Sequence, residues 1–129
     1  MGYNNRVDIS DLLGQTVVKI TGMKNNSESV SIYTKKYRYD MFHDQDCCEK
    51  VYLNDVIGDP EDLIGKPILM AECVNNADGP SKSSYDCEEW TFYKLATLNG
   101  YVTLRWYGVS NGYYSTKVTI ERYDLSENA

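Results

Sequence analysis

The chain has 129 residues, of which 42% are hydrophobic and 25% are charged. These proportions are typical of a globular domain, and they exclude a membrane protein and a disordered chain. A chain of this length can bury a core without the help of disulfides. We therefore expect one domain over residues 1–129, with an ordered core at about 8–122.

The acidic charge is concentrated in the middle of the chain. Residues 40–89 hold 13 of the 19 acidic residues and 3 of the 13 basic residues, a local balance of −10. The other 79 residues hold 6 acidic and 10 basic residues, or +4, which gives the net charge of −6. This distribution disfavours direct binding of nucleic acid by the acidic segment, because phosphate groups are also negative.

The first residues, Met1 to Arg6, are polar and lack the apolar stretch of a secretory signal. We therefore expect a cytoplasmic protein that makes no contact with membranes. In a reducing cytosol, cysteines are more often buried thiols or metal ligands than structural disulfides. This expectation applies to all four cysteines: Cys47, Cys48, Cys73 and Cys87.

The first third of the chain predicts a meander of three β-strands. Segments rich in β-branched and aromatic residues lie at 16–23, 28–34 and 37–42. The last two segments alternate between apolar and polar positions, which is typical of strands with one solvent-facing side.

The periodicity then changes to that of a helix. Asp46 and Glu49 stand at the spacing of a capping box, in which each residue satisfies a backbone N–H of the other. Positions at helical spacing follow until Gly58: Cys48, Val51, Tyr52, Asp55 and Val56. The pattern predicts a helix of about three turns over 47–57.

Two short segments share one sequence pattern. Residues 59–65 begin with an acidic N-cap followed by proline and end on glycine, which predicts a very short helix. Residues 8–14 match 59–65 at four of seven positions, and a predicted strand follows each segment. The match indicates that both segments form the same local structure, as a duplication within the sequence would produce.

The last part of the chain predicts further strands. We expect a strand at 68–74, a polar loop at 75–86 and an aromatic-rich strand at 87–98. The two strands are expected to pair antiparallel about a centre near residue 80, which would place Cys73 opposite Cys87.

A hairpin follows at the next turn signal. Asn99-Gly100 favours a type I′ turn into a strand over 101–107, in which Arg105 and Tyr107 share one face. Asn111-Gly112 predicts another reversal before a strand at 113–121, and the tail from Tyr123 is expected to fray. The complete pattern predicts an α+β fold, a mostly antiparallel β-sheet with one short helix packed on it.

A metal site is predicted around the only histidine. Zinc prefers imidazole and thiolate ligands in a tetrahedral set, and His43 lies just before two cysteines. Cross-strand neighbours have β-carbons about 4.5 to 5.5 Å apart, which one ion can bridge. We predict a structural zinc held by His43, Cys48, Cys73 and Cys87, with Cys47 as an alternative ligand. Two other interpretations stay open: buried thiols without metal, and a disulfide between Cys73 and Cys87.

Signs of catalysis are few. The chain has one histidine and no local signature of a Ser-His-Asp triad, a zinc protease or a glycine-rich phosphate loop. We therefore expect no enzymatic activity, although a Cys-His pair of Cys47 or Cys48 with His43 stays an alternative.

The 12 tyrosines and 2 tryptophans predict half-buried sheet positions or, alternatively, a recognition surface that exposes Tyr113 and Tyr114.

Three long strings of the sequence resemble a family of small phage and prophage proteins. They are HDQDCCE at 43–49, WTFYKLAT at 90–97, and YVTLRWYG at 101–108 with SNGYY at 110–114. The resemblance extends over about 11–121. Its functional association is with anti-CRISPR proteins that act on type II-A Cas9, some of which are similar to metal-binding proteins. The resemblance thus implies a phage-encoded inhibitor that binds Cas9 in the bacterial cytoplasm and hinders target-DNA binding.

The charge distribution agrees with such a partner. Cas9-type proteins hold nucleic acid in positively charged channels, for which an acidic protein can compete. We expect a partner-binding acidic face formed by Asp55, Asp59, Glu61, Asp62, Glu88 and Glu89. Alternatively, the chain is a phage accessory protein or a binding module for a small nucleotide signal. A nucleotide would use the aromatic hairpin, with Arg105 or Lys94 on its phosphate.

Overall fold

The computed structural model describes residues 5–80, 87–111 and 114–125, and it describes only the backbone of 76–80 and 87. Two 3-10 turns lie at Ile9–Leu12 and Pro60–Leu63. The eight strands are β1 (Val17–Thr21), β2 (Ser29–Thr34), β3 (Tyr37–Phe42), β4 (Lys50–Ile57), β5 (Met70–Pro80), β6 (Cys87–Thr97), β7 (Gly100–Ser110) and β8 (Thr119–Asp124).

The strands form two antiparallel sheets that share one core. The first sheet has the order β1-β2-β3-β8, and the second has the order β4-β7-β6-β5. Alternating residues from both sheets enter the core, because successive side chains of a strand point to opposite faces. The most completely buried members include Val30, Ile32 and Met41 from the first sheet and Leu53, Leu104 and Trp106 from the second.

The predicted α+β fold is wrong, because the chain is all-β and its described helical segments are single 3-10 turns. The predicted helix over 47–57 is strand β4. A bulge lies between Leu53 and Asp55. It shifts the strand by one residue, so the inward positions are Val51, Leu53 and Val56. These buried positions are separated by two residues and then by three, a spacing that resembles one face of a helix.

The first meander and the β6-β7 hairpin are confirmed. The hairpin turns one residue earlier than predicted, because Thr97 pairs with Gly100 and leaves Leu98 and Asn99 as the loop. The Thr97 hydroxyl accepts the N–H of Asn99 at 3.1 Å and donates to the carbonyl of Asp62 at 2.5 Å. The loop is therefore held by the second 3-10 turn.

Two strand boundaries differ from the prediction. β5 continues to Pro80, into the segment predicted as a loop, while residues 81–86 lie outside the described part. β8 starts at Thr119 and ends at Asp124, so the tail at Tyr123 is paired with Arg38 and not frayed. The predicted reversal at Asn111-Gly112 falls partly outside the described residues.

The two matching segments begin two equivalent halves. Each forms a 3-10 turn, and two residues after its end comes a glycine of positive φ, Gly14 at 81° and Gly65 at 91°; each segment then leads into a three-stranded meander. The fourth strand of each half then joins the sheet of the other half, because β4 pairs with β7 and β8 pairs with β3. Neither sheet is complete without a strand from the other half.

Candidate functional site

Aromatic side chains collect on the outward face of the second sheet. In β7, Leu104 and Trp106 are buried while Arg105 and Tyr107 are partly exposed, so the odd-numbered residues face outward. The strand register adds outward neighbours from β4 and β6. We call this set the aromatic face: Tyr52, Trp90, Phe92, Arg105 and Tyr107.

The rings of the aromatic face contact one another across three strands. The ring centroids of Trp90 and Tyr107 lie 4.6 Å apart, and those of Tyr52 and Tyr107 lie 5.8 Å apart in an edge-to-face arrangement. The guanidinium carbon of Arg105 lies 5.2 Å from the centroid of the Trp90 ring. This is the distance at which a cation is attracted to an aromatic face.

Hydrogen bonds fix the polar groups of the aromatic face. Arg105 donates from Nε and Nη2 to Asn54 Oδ1 at 3.1 and 2.7 Å, and it lies 3.6 Å from the Asp55 carboxylate. Asn54 is the extra residue of the β4 bulge, so the bulge positions the arginine. The Tyr107 hydroxyl donates to Glu88 Oε2 at 2.6 Å. Side chains that are held in this way lose little conformational freedom when a partner binds.

The described charges around the aromatic face are balanced. Among the side chains that the structure describes, the strands of this sheet present three basic and three acidic groups outward: Lys50, Lys94, Arg105, Asp55, Glu72 and Glu88. Aromatic rings and an arginine surrounded by a polar rim are typical of a protein-binding surface. A groove for a phosphate backbone would carry an excess of basic residues.

The predicted metal centre contains a buried acid-base pair. His43 Nε2 lies 2.6 Å from Glu49 Oε2, and the two side chains are 4% and 0% exposed. His43 Nδ1 donates to the carbonyl of Lys117 at 2.7 Å. Nδ1 acts as the donor in this contact, because a carbonyl oxygen only accepts, and Nε2 faces the Glu49 carboxylate.

Backbone amides surround the Glu49 carboxylate. It accepts the N–H groups of Asp46 at 2.8 Å and Cys47 at 2.9 Å. Burial by itself raises the pKa of Glu49, but hydrogen bonds from the Asp46 amide, His43 and the Cys47 amide outweigh it and lower the pKa to about 2. The contact of the Glu49 side chain with the Asp46 N–H, one half of the predicted capping box, is present, but it closes a loop instead of starting a helix.

This arrangement favours a structural role for His43. A catalytic histidine uses one ring nitrogen for its orienting partner and presents the other to the substrate. Here Glu49 and Lys117 occupy both nitrogens, and the ring is almost inaccessible. The pair therefore fastens the loop between β3 and β4 to the segment before β8.

The cysteines differ from the expectation of buried thiols. Cys47 and Cys48 are exposed and form a disulfide with each other, while Cys73 is exposed and lies outside any disulfide. The predicted register is wrong, because Cys73 pairs with Tyr93 and Cys87 pairs with Pro80 and Ser110. At about 3.4 Å per residue, the backbones at 73 and 87 lie roughly 20 Å apart.

These positions do not fit the predicted zinc site. Two of the proposed ligands lie far apart along the sheet, Cys48 is bonded to Cys47, and both nitrogens of His43 are occupied. Within the described residues, no group of three or more potential ligands is close enough to hold a metal ion. The side chain of Cys87 lies outside the described part, and structural zinc stays a prediction that metal analysis would test.

The predicted acidic face is divided among three places. Asp59, Glu61 and Asp62 lie at the second 3-10 turn, whereas Asp55 lies on the outer strand β4, 3.6 Å from Arg105. Glu88 and Glu89 are near the other end of β6, roughly 30 Å from Thr97, which contacts Asp62. Because Glu88 and Glu89 are neighbours in a strand, they point to opposite faces.

An open cavity of about 710 Å³ adjoins the aromatic face. Its lining includes His43, Gln45, Glu49, Lys50 and Tyr52. Tyr52 therefore belongs to both the cavity and the aromatic face. Gln45 donates to the carbonyls of Cys47 and Glu49 at 3.1 and 2.6 Å, which holds the loop at the cavity wall.

Sequence reasoning identified part of this surface. The alternation over 101–107 placed Arg105 and Tyr107 on one face, and the register confirms that placement. Tyr52 was missed because its strand had been predicted as a helix. Of the two tyrosines predicted to be exposed, Tyr114 is partly buried and Tyr113 lies outside the described part.

The fold and this surface define an all-β domain of two four-stranded sheets with an aromatic outer face. A family described as "Domain of unknown function (DUF7448)" matches residues 10–120, and the chain belongs to this family. No curated protein and no solved structure matched the chain. Throughout the described part, every helical segment is too short to cross a membrane.

Proposed function

We propose that the chain is a non-enzymatic protein that binds a partner protein through the aromatic face. The contact of Trp90, Tyr107 and Arg105 on one outward surface carries this proposal. Tryptophan, tyrosine and arginine supply most binding energy in protein interfaces. The hydrogen bonds of Arg105 and Tyr107 hold the groups in place before a partner arrives.

A type II-A Cas9 is the partner we propose. The resemblance to phage proteins of anti-CRISPR type implies it, and the net charge of −6 supports attraction to the positively charged surfaces of a nucleic-acid-binding protein. Because the acidic groups are dispersed, they would act through the long-range field while the aromatic face makes the close contact. Occupation of a DNA-binding surface would then hinder target binding.

The test uses a cleavage assay with guide-loaded Cas9 and a parallel measurement of binding. Trp90→Ala should weaken binding by about 2 kcal/mol, or roughly 30-fold, because it removes the ring that contacts both Tyr107 and Arg105. Arg105→Lys should also weaken binding, since lysine keeps the charge but loses the planar group.

Tyr33→Ala is the matched control. Tyr33 is a partly exposed aromatic residue on the outward face of the first sheet, where Lys19 lies 5.2 Å from its ring centroid. This variant should bind like the wild type. If Trp90→Ala binds Cas9 as strongly as the wild type does and has an unchanged melting temperature, the aromatic face is excluded as the binding surface. Absence of wild-type binding to any type II-A Cas9 would exclude that partner.

A small nucleotide is a second candidate ligand. Arg105 over the Trp90 ring combines a cation with a stacking surface, and exposed Lys94 lies on the same face. Stacking on an aromatic ring with a nearby cation is how many proteins hold a base and its phosphate. Calorimetry with cyclic and linear nucleotides should then give binding that Trp90→Ala abolishes, whereas a purely protein-binding surface gives none.

A further inference from the structure

A smaller cavity, of about 260 Å³, lies where the segment of the first 3-10 turn meets both sheets. Its apolar wall comes from three parts of the chain: Val7, Ile9, Ala71, Val118 and Ile120. Ala71 belongs to β5 of the second sheet, and Ile120 belongs to β8 of the first sheet. The cavity therefore lies between the two sheets, away from the outward aromatic face.

Cys73 shows that this cavity opens to solvent. It pairs with Tyr93, which belongs to the core and is 5% exposed. Directly opposed residues of two antiparallel strands share one face of the sheet, so Cys73 also faces inward. Its side chain is nevertheless exposed. Since a residue that faces the core is exposed only where the core is open, a small molecule can enter beside Cys73.

The polar groups of this cavity are neutral or acidic. The Tyr93 hydroxyl and the Cys73 thiol are hydrogen-bonded to each other, and Asp8 adds a carboxylate. Burial is the largest cause that raises the pKa of both groups, and the carboxylates of Asp8 and Glu89 raise both pKa values further. Among the described lining residues none is basic. The cavity is therefore a negative site that favours a cation.

The two matching segments indicate which acid is available to a ligand. Asp59 accepts the N–H of Glu61 at 3.0 Å and so caps the second 3-10 turn. Asp8 has the same position at the first 3-10 turn, but its side chain makes no capping hydrogen bond. It lines the cavity instead. The carboxylate that stabilises the turn in one half can thus serve a ligand in the other half.

We propose that this cavity binds a small organic cation in which an ammonium group is attached to an apolar ring or short chain. The ammonium group would pair with Asp8 and donate to the oxygen of Tyr93, while the apolar part would contact Ala71 and Ile120. A cavity of about 150 Å³ can hold benzene, so this one has room for a ring with a short substituent. An anion would be repelled by the carboxylates of Asp8 and Glu89.

The cavity and the aromatic face lie on opposite sides of β6. Tyr93 points toward the core, whereas its neighbours Phe92 and Lys94 point outward with the rest of the aromatic face. A molecule in the cavity would leave Trp90 and Arg105 accessible. Binding of the cation therefore does not depend on a partner protein.

Nuclear magnetic resonance titration of the full chain tests the proposal with three probes of similar shape. Benzylammonium is positive, benzyl alcohol is neutral and benzoate is negative. The methyl signals of Ala71, Val118 and Ile120 should shift saturably with benzylammonium. Benzyl alcohol should bind roughly fivefold more weakly, because it lacks the ion pair with an exposed carboxylate, and benzoate should not bind.

Asp8→Asn should abolish the preference for benzylammonium over benzyl alcohol, because the amide keeps the shape of the side chain and removes its charge. Asp59→Asn is the matched control, since Asp59 has the same position at the other turn. The control should keep the preference. Absence of saturable shifts with benzylammonium, equal binding of benzoate, or an equal loss of preference in both variants would overturn the proposal.

Cys73 gives a second result on the wild type. Its alkylation by iodoacetamide, located by mass spectrometry of peptides, should become slower in the presence of saturating benzylammonium. An unchanged rate, or a shift confined to the indole signal of Trp90, would place the probe outside the cavity and overturn the proposal. Partner binding through Trp90 is measured separately, so either proposal can fail alone.

Discussion

At the level of single residues, the buried side chain of Glu49 connects three groups. Its carboxylate accepts backbone N–H groups from two preceding residues and contacts a histidine that is bonded to the segment before β8. The sequence predicted the contact with Asp46, because that contact is local. The carbonyl of Lys117 lies 74 residues from His43 in the sequence, and no local pattern indicates it.

The pKa of Glu49 predicts how stability depends on pH. Its pKa is lowered from 4.5 to about 2 in the folded chain, so ionised Glu49 stabilises the fold above pH 4.5 and loses this effect as the pH falls toward 2. Glu49→Gln should therefore be less stable than the wild type at neutral pH. The difference should shrink between pH 4.5 and pH 2.

Urea denaturation across this pH range is the measurement. Glu61→Gln serves as the control, because its side chain is exposed at the second 3-10 turn. The control should follow the wild type at every pH. A constant difference between wild type and Glu49→Gln down to pH 2 would contradict the role given to the carboxylate.

At the level of elements, β4 shows why local pattern was insufficient. A single extra residue at Asn54 changes which side chains face the core, and the sequence then imitates a helix. The bulge forms because β4 pairs with β7, which lies about 50 residues further along the chain. The same bulge places Asn54 against Arg105, so it also builds the aromatic face.

The connection after β4 depends on a glycine. Gly58 has a φ of 107°, and a Cβ at this position would lie 2.3 Å from the carbonyl oxygen of Tyr101. Gly58→Ala should therefore lower the free energy of unfolding by about 2 kcal/mol or more. The positive φ strains the alanine backbone, and the new Cβ collides with the carbonyl of the neighbouring strand.

Gly14→Ala is the comparison for this prediction. Gly14 also has a positive φ, 81°, but a Cβ there would meet no atom within 4 Å. Gly14→Ala should lower the free energy of unfolding by only about 1 kcal/mol, because the positive φ alone opposes the alanine. Urea denaturation of both variants separates the steric part from the conformational part, and equal losses would show that the approach to Tyr101 has no effect.

At the level of the whole molecule, the two halves exchange their fourth strands. Each sheet contains a meander from one half and a strand from the other, and one core joins both. Loss of either half would leave two incomplete sheets. The chain should therefore unfold in one cooperative step.

Two probes test this cooperativity. Both tryptophans, Trp90 and Trp106, lie in the second sheet, so their fluorescence reports on that sheet, while far-ultraviolet circular dichroism reports on both sheets. The two urea transitions should coincide. If part of the circular dichroism signal is lost at urea concentrations at which the fluorescence has not yet changed, the first sheet unfolds independently of the second.

The sequence by itself determined the local features of this protein. Alternation and turn residues predicted the first meander and the β6-β7 hairpin, and the repeated pattern at 8–14 and 59–65 indicated two similar starts. These features depend on residues close in the chain. Their signals therefore remain visible in a single sequence.

Only the tertiary structure decided the rest. The register of β5 against β6 separates Cys73 from Cys87, and the exchange of β4 and β8 turns a predicted helix into a strand. The aromatic face depends on the same pairings, because its residues come from three strands. A shift of pairing by a few residues changes every cross-strand neighbour, and the packing of distant segments determines that shift.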